Sequence, residues 1–206
     1  MPRPHGTAPA TAGRVIRHAR LYDLLGRKMS KGRGTLIEIA APVPGEEILD
    51  VGCGTGLVTL AVATQVGSGR VVGIDASPEM IELARAKAHR TRTDVEFHVA
   101  AVEALPFPDD SFDLVTSSLM LHHLPVDLKR AGLGEVRRVL KPGGRLVVLD
   151  FATESHTPLG HVRSILGHGH GPAAIDSLTP VLREVGFAQV EPVPTRHKHL
   201  MFVRAR

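Results

Sequence analysis

From residue 48 onward the chain repeats one unit: a short apolar run, a turn bearing glycine or proline, and a longer stretch with apolar residues at helical spacing. This alternation predicts successive βαβ units and a parallel sheet, since parallel strands need a crossover and a helix usually supplies it. Strands are predicted over 48–51, 70–74, 95–99, 112–117 and 145–151, with helices over 57–66, 78–89 and 128–140. Ser77 and Pro78 mark the second helix start, one as an N-cap hydroxyl and the other as a first helical residue with no N–H to lose. Lys141-Pro142-Gly143-Gly144 ends the third, because proline cannot continue a helix. Further on, 173–185 reads as a helix closed by Gly186, followed by strands over 187–193 and 199–204. Pro192 and Pro194 place the first of these at an irregular or edge position. Ahead of the sheet, 15–29 and 32–41 read as two short helices, separated from the core by Pro42 and Pro44.

With 206 residues the length fits one domain. Residues 1–13 are rich in Pro, Ala, Thr and Gly and read as a flexible tail. Residues 14–206 form a single predicted domain, in which 14–41 covers part of the substrate site. No repeat marks a second unit. No apolar run approaches the roughly 18 residues a membrane span needs, and the first residues lack the apolar block of a secretion signal. A soluble, cytoplasmic chain is the resulting expectation. Cys53 is the single cysteine, which excludes an internal disulfide and a zinc site of several thiolates. The formal charge of +4 singles out no partner, while an aromatic content of 3% leaves few platforms for stacking nucleic-acid bases.

The chemistry concentrates in Asp50-Val51-Gly52-Cys53-Gly54-Thr55-Gly56, directly after the first strand. Three alternating glycines let backbone approach a ligand closely, as nucleotide sites require. The dinucleotide spacing G-x-G-x-x-G fails in both registers, where Leu57 or Thr59 takes the third glycine's place, and no Gly-Lys-Ser/Thr follows to make a phosphate loop. Asp50 would also repel a pyrophosphate at the helix N-terminus. A zwitterionic amino-acid group, with an ammonium for Asp50, suits the turn better. Asp75 ends the second strand, where a carboxylate accepts hydrogen bonds from both ribose hydroxyls.

These segments resemble the class I S-adenosylmethionine-dependent methyltransferases, through Ile48-Leu49-Asp50-Val51-Gly52-Cys53-Gly54-Thr55-Gly56, Val72-Gly73-Ile74-Asp75-Ala76-Ser77, Glu103-Ala104-Leu105-Pro106-Phe107 and Leu140-Lys141-Pro142-Gly143-Gly144-Arg145-Leu146. Tyr22-Asp23-Leu24-Leu25 and Leu149-Asp150-Phe151 are similar to the branch containing the ubiquinone and menaquinone biosynthesis C-methyltransferases. The resemblance implies an α/β, Rossmann-like, doubly wound seven-stranded sheet, mostly parallel with an antiparallel last strand and helices on both faces. It implies S-adenosyl-L-methionine as cofactor. Gly52, Cys53 and Gly54 would line its methionine part, Asp75 would hold the ribose and Ala76 would touch the adenine, with Asp50, Gly56, Glu103 and Ser118 completing the site. Many relatives carry an Asp that accepts from the adenine amino group where this chain has Ala101. The backbone of Val102 remains as a contact there, and the lost bond weakens binding by about 0.5 to 1.5 kcal/mol.

On the reaction side, the fourth strand runs into Ser117-Ser118-Leu119-Met120-Leu121-His122-His123-Leu124, which the resemblance puts beside the reactive methyl group. His122 and His123 are the candidate catalytic residues, as a base or as hydrogen-bonding groups, because imidazole titrates near neutrality. The chain lacks the Asp/Asn-Pro-Pro-Tyr run of enzymes that methylate exocyclic base nitrogens. The leading expectation is therefore methyl transfer to a small molecule, with an RNA-modifying methyltransferase and an inactive S-adenosylmethionine-binding module as alternatives. His156, His161, His168 and His170 follow the fifth strand and read as a solvated loop, so no metal site is assigned. That connection is short, which leaves the pocket to be completed by the amino-terminal helices or by a second copy of the chain in a homodimer. Arg14, Arg17, Arg20, Arg27, Lys28, Lys31 and Arg33 read as a solvated basic face.

Overall fold

A computed structural model describes residues 30–152 and 175–206. Its elements follow in the order α1 (Ser30–Ala40), β1 (Glu47–Val51), α2 (Leu57–Val66), β2 (Arg70–Asp75), α3 (Pro78–Thr91), β3 (Glu96–Val99), β4 (Phe112–Ser118), α4 (Val126–Val139), β5 (Leu140–Phe151), α5 (Ile175–Glu184), β6 (Val190–Pro192) and β7 (Leu200–Ala205). The strands make one seven-stranded sheet in the order β3-β2-β1-β4-β5-β7-β6. The pairs among β1 to β5 are parallel, and β7 runs antiparallel to both β5 and β6. The expected doubly wound sheet with an antiparallel last strand is the one found.

Side-chain alternation along each strand sorts the core into two layers. Leu49, Val51, Val72, Ile74, Val115, Leu146 and Val148 face α4 and α5, meeting Leu133, Val136, Leu178 and Leu182. Ile48, Val71, Leu114, Val147 and Leu149 face the other way, against Leu36 and Ala40 of α1 and Val58, Val62 and Val66 of α2. Phe97 packs with Ile81 and Ala84 under α3. The period that puts Leu49 in one layer puts Asp50 in the other, and in β5 it gives Asp150 to the α4 side.

Ser77 caps α3 as predicted, its hydroxyl accepting from Met80 N at 3.3 Å, with Pro78 following. Several boundaries differ from the pattern. The third long helix begins at Val126 and is preceded by a single 3₁₀ turn, Leu121–His123. The next strand starts at Leu140, five residues before the predicted 145. Phe112 pairs with Leu140 and Leu114 with Arg145, so the Lys-Pro-Gly-Gly stretch is carried as an irregularity inside the ladder. The stretch 187–193 contributes only Val190–Pro192 as strand. The tail, the helix over 15–29, the basic residues before Ser30 and His156, His161, His168 and His170 lie outside the described residues.

Arg145 fastens α1 to the sheet. Its guanidinium donates to the carbonyls of Ala40 and Ala41 at 2.9 and 3.0 Å and pairs with both oxygens of Glu46 at 2.6 and 3.0 Å. It thus satisfies carbonyls at the helix end that no later turn can bond, at the negative end of the helix dipole. Among the described residues no helix is long and apolar enough to cross a membrane.

Candidate active site

The chain winds outward from β1 to β2 and β3, then returns to the other side of β1 as β4. Loops leaving the carboxyl ends of β1 and β4 therefore part in opposite directions, which opens a crevice where doubly wound sheets bind ligands. That crevice is lined by Arg33, Asp50, Gly52, Cys53, Gly54, Thr55, Leu57, Val58 and Ser118. Residues from α1, β1, α2 and the end of β4 thus meet around one cleft.

The turn after β1 holds Gly52, Gly54 and Gly56 at φ of 68°, 54° and 80°, a region costly for residues with a Cβ. Any Cβ on Gly52 would run into the Met120 side chain, so this glycine lets the β1 and β4 loops close on each other. Gly56 serves packing: a Cβ there would lie 2.8 Å from Phe97 Cζ and 3.1 Å from the Ala84 Cβ. It is buried and stands outside the cleft lining, unlike Gly52, Cys53 and Gly54.

Asp50 forms the floor of the cleft and is 2% exposed. Its Oδ2 accepts from the Thr59 hydroxyl at 2.7 Å and its Oδ1 from the Thr116 hydroxyl at 2.8 Å. Thr116 is its register partner on β4, and Thr59 lies on the inner face of α2. Burial raises the Asp50 carboxyl from 3.8 to about 6, although both hydroxyls and the charge of Arg33 favour ionisation. A carboxylate offers about four accepting positions, and the two threonine hydroxyls with the Thr59 backbone N–H do not use all of them.

Asp75 holds the next position along the sheet. Its Oδ2 accepts from Gly54 N and its Oδ1 from Ser77 N, each at 2.9 Å, which locks the glycine turn to the end of β2. Burial pushes this carboxyl up, and the two N–H bonds oppose it. Ala76 beside it is half-buried. Ala101 and Val102 are buried at 2% and 8% exposure, and the Ala100 N–H bonds to the Asp75 carbonyl at 3.1 Å. The segment expected to flank an adenine therefore starts at Asp75. Glu103 lies just beyond, one carboxylate oxygen buried and without a hydrogen-bond partner among the described residues.

Past β4, Ser118 presents a buried hydroxyl that has no partner among the described residues, at the cleft wall. The 3₁₀ turn then places His122 against Asp150 at the end of β5. His122 Nδ1 lies 2.6 Å from Asp150 Oδ1, while the backbone N–H groups of His122 and Phe151 donate to the same carboxylate at 3.0 and 2.8 Å. Asp150 is fully buried, whereas the His122 side chain keeps 24% of its surface exposed. Phe151 meets the His122 ring edge-on at 4.9 Å between centroids, and the His123 ring lies 3.9 Å away at a tilt of 46°. Lys129, also buried, faces this region from α4. Burial lowers its ammonium and the charge of Asp150 works against that.

Arg33 overturns one expectation. The basic stretch around it predicts a solvated face, yet Arg33 lines the cleft and acts electrostatically on Asp50. Its position on a basic stretch hid it, since nothing local distinguishes a lysine or arginine that points to solvent from one that turns inward. Asp150, Thr59, Thr116 and Lys129 were also missed. Thr116 and Asp150 meet their partners through neighbouring strands, while Thr59 reaches Asp50 from α2 and Lys129 acts on Asp150 from α4.

An open α/β sheet with a ligand crevice at its switch point defines the Rossmann-like class. Within that class, residues 48–144 match the family model described as a methyltransferase domain. The demethylmenaquinone methyltransferase of Thermus thermophilus is 42% identical over 135 residues, covering 63% of this chain and 60% of the relative. The arsenite methyltransferase of Halobacterium salinarum is 34% identical over 175 residues, 82% of this chain and 44% of that protein. The chain thus spans less than two thirds of the length of both relatives. A crystal structure of a SAM-dependent methyltransferase from Aquifex aeolicus superposes with a TM-score of 0.75 at 22% identity, covering 92% of this chain and 98% of that one, a likeness of fold.

Proposed function

We propose that the chain transfers a methyl group from S-adenosylmethionine to a small-molecule acceptor that gives up a proton. The observation that carries the cofactor reading is the pairing of two carboxylates around one glycine turn: Asp50 at the cleft floor and Asp75 bonded to Gly54 N. Two acids at this point disfavour a phosphate and suit a ligand with an ammonium and a ribose diol. Unused accepting positions on both carboxylates, and the buried Ser118 hydroxyl, without a partner among the described residues, are polar capacity of the kind such a ligand would use. Gly52, Cys53 and Gly54 would hold the methionine part, Asp75 the ribose, and Ala76 with the Val102 backbone the adenine. When bound, the cofactor supplies an electrophilic methyl group on a sulfonium.

His122 is assigned the proton. With its Nδ1–H donated to Asp150, the neutral ring keeps its lone pair on Nε2, the form a general base requires. A base is useful only where the accepting atom carries hydrogen, which favours a hydroxyl, an amine or an acidic carbon. Two relatives are named for demethylmenaquinone and for arsenite, and an apolar or aromatic metabolite is the acceptor class we favour. The test is incubation with methyl-labelled cofactor and a metabolite extract, with mass analysis of labelled products. A labelled small molecule formed by the wild type and lost in His122→Phe is expected. Failure to bind either S-adenosylmethionine or S-adenosylhomocysteine in calorimetry would overturn the proposal.

A further inference from the structure

Helix α4 buries one stripe against the sheet, Lys129, Gly132, Leu133, Val136 and Val139, and its first member is the charged one. Lys129 is 7% exposed and stands four residues into the helix, near the positive end of its dipole. Desolvation and dipole both oppose a cation there, and lysine is seldom buried without a countercharge. The fold brings Asp150 to it. Because β4 and β5 are parallel, the α4 crossover between them runs the opposite way, so a step toward the start of α4 is a step toward the end of β5. Leu133 and Val136 pack with Leu146 and Val148. One turn before Leu133 comes Lys129, and one pleat after Val148, on the same side of the sheet, comes Asp150. Burial lowers the Lys129 ammonium, and the charge of Asp150 helps it keep its proton. Other charged groups of the surrounding elements are exposed or engaged: the Asp127 side chain is 97% exposed, Arg130 pairs with Glu184 of α5 at 2.9 Å, and Glu135 pairs with Arg138 at 2.7 Å. His123 and Glu103 complete the titratable set, and Asp150 is the member whose charge acts on Lys129.

Asp150 accepts from the His122 ring and from two backbone N–H groups, which occupy its lone pairs and leave its charge unbalanced. Protonated Lys129, ionised Asp150 and a neutral His122 ring sum to zero. A protonated ring would leave a net positive charge largely out of water. Resting on the reading of His122 as the proton acceptor, we infer that Lys129 is a positioning residue: its buried charge balances Asp150 and so holds the His122 ring neutral, with the Nε2 lone pair available. Without that charge, Asp150 would draw a proton onto the ring and form an imidazolium–carboxylate pair, which has no lone pair to accept another. Lys129 thus serves the reaction without touching the acceptor.

The test follows the His122 ring by nitrogen NMR from pH 5 to 9 in the wild type, Lys129→Met and Lys129→Arg, the signal being assigned by its absence from His122→Phe. In Lys129→Met the ring should take up its proton about one pH unit higher than in the wild type, about a tenfold change for the loss of one nearby charge inside the protein. Lys129→Arg keeps the charge, and its ring should titrate within about 0.3 unit of the wild type. The acid limb of the pH profile of methyl transfer, read on the labelled product from the extract, should move up by the same amount in Lys129→Met and stay in place in Lys129→Arg. A ring titration unmoved in Lys129→Met overturns the inference, and so does an equal shift in both variants, which would mean that packing and not charge is at work. Where Lys129→Met does not fold, Lys129→Gln removes the charge with a polar side chain and is judged by the same two results. The ring titration needs neither cofactor nor acceptor, so it reports on Lys129 separately. A wild type that transfers label to no small molecule would instead remove the reading of His122 beneath it.

Discussion

Asp50 lies beneath the cleft with its carboxylate out of water, and its two threonine bonds do not fully offset that loss. The carboxyl rises from 3.8 to about 6 on folding. At about 1.4 kcal/mol for each tenfold change in proton affinity, ionised Asp50 costs the ligand-free protein about 3 kcal/mol above pH 7. Because the folded value exceeds the unfolded one, this group's stabilising contribution is complete below about pH 3.8. It disappears as pH rises through about 6. Asn at position 50 does not titrate, and the hydroxyls of Thr59 and Thr116 can rotate to donate to its oxygen and accept from its amide. Urea unfolding of wild type and Asp50→Asn across pH 4 to 8, compared as a difference, cancels the other titrating groups. The variant should gain on the wild type by up to about 3 kcal/mol as pH rises through 6. The same variant should bind S-adenosylhomocysteine more weakly, because the ammonium loses its charge partner. Wild-type affinity should fall below pH 6, where Asp50 must shed a proton to bind, and the variant's should stay level. A stability difference that is constant from pH 4 to 8 would refute the reasoning, for it would mean that burial does not burden the carboxylate. Stability given up at a binding site in return for affinity is a common trade.

Three further outcomes follow from the geometry. Asp150→Asn sets an amide against three N–H donors and reverses the polarity offered to His122 Nδ1, so methyl transfer should drop by about 10²- to 10⁴-fold while S-adenosylhomocysteine affinity moves less than about threefold. Nitrogen NMR of the His122 ring reports the tautomer directly, and an unchanged Nδ1–H in the variant would contradict the role. Gly52→Ala places a side chain at φ 68° and against Met120, and should lower stability by about 2 to 4 kcal/mol in thermal or urea unfolding. A neutral result would mean that the β1 and β4 loops are not closely engaged. Burial, with Asp50 and Asp75 nearby, pushes the Cys53 thiol well up, so the native protein at pH 8 should react with a thiol reagent far more slowly than the urea-unfolded chain. Equal rates would show a thiolate exposed in the folded state.

The local chemistry of the sheet is legible in the sequence. Helix α2 begins and ends where its apolar run does, Ser77 and Pro78 mark the start of α3, and Asp75 stands at the end of β2 beside the glycine turn. These features depend on side-chain period, capping and turn chemistry, which act over a few residues. The strand over 140–144 was missed for the opposite reason. Lys141-Pro142-Gly143-Gly144 is a helix terminator by local rules, and only pairing with Phe112 and Leu114 draws it into the ladder.

Composition, period and motif were enough to establish a doubly wound domain and a turn unsuited to phosphate. They also picked out two histidines after β4. The partners of those groups came from the order of the strands. His122 and Asp150 stand 28 residues apart and meet because β5 lies beside β4. Asp50 finds Thr116 across the β1 and β4 pair, and Arg33 reaches the cleft because α1 packs over the face to which alternation assigns Asp50. Contacts of that range are set by which layers bury which apolar stripe. That is a property of the assembled sheet, and no short stretch of sequence encodes it.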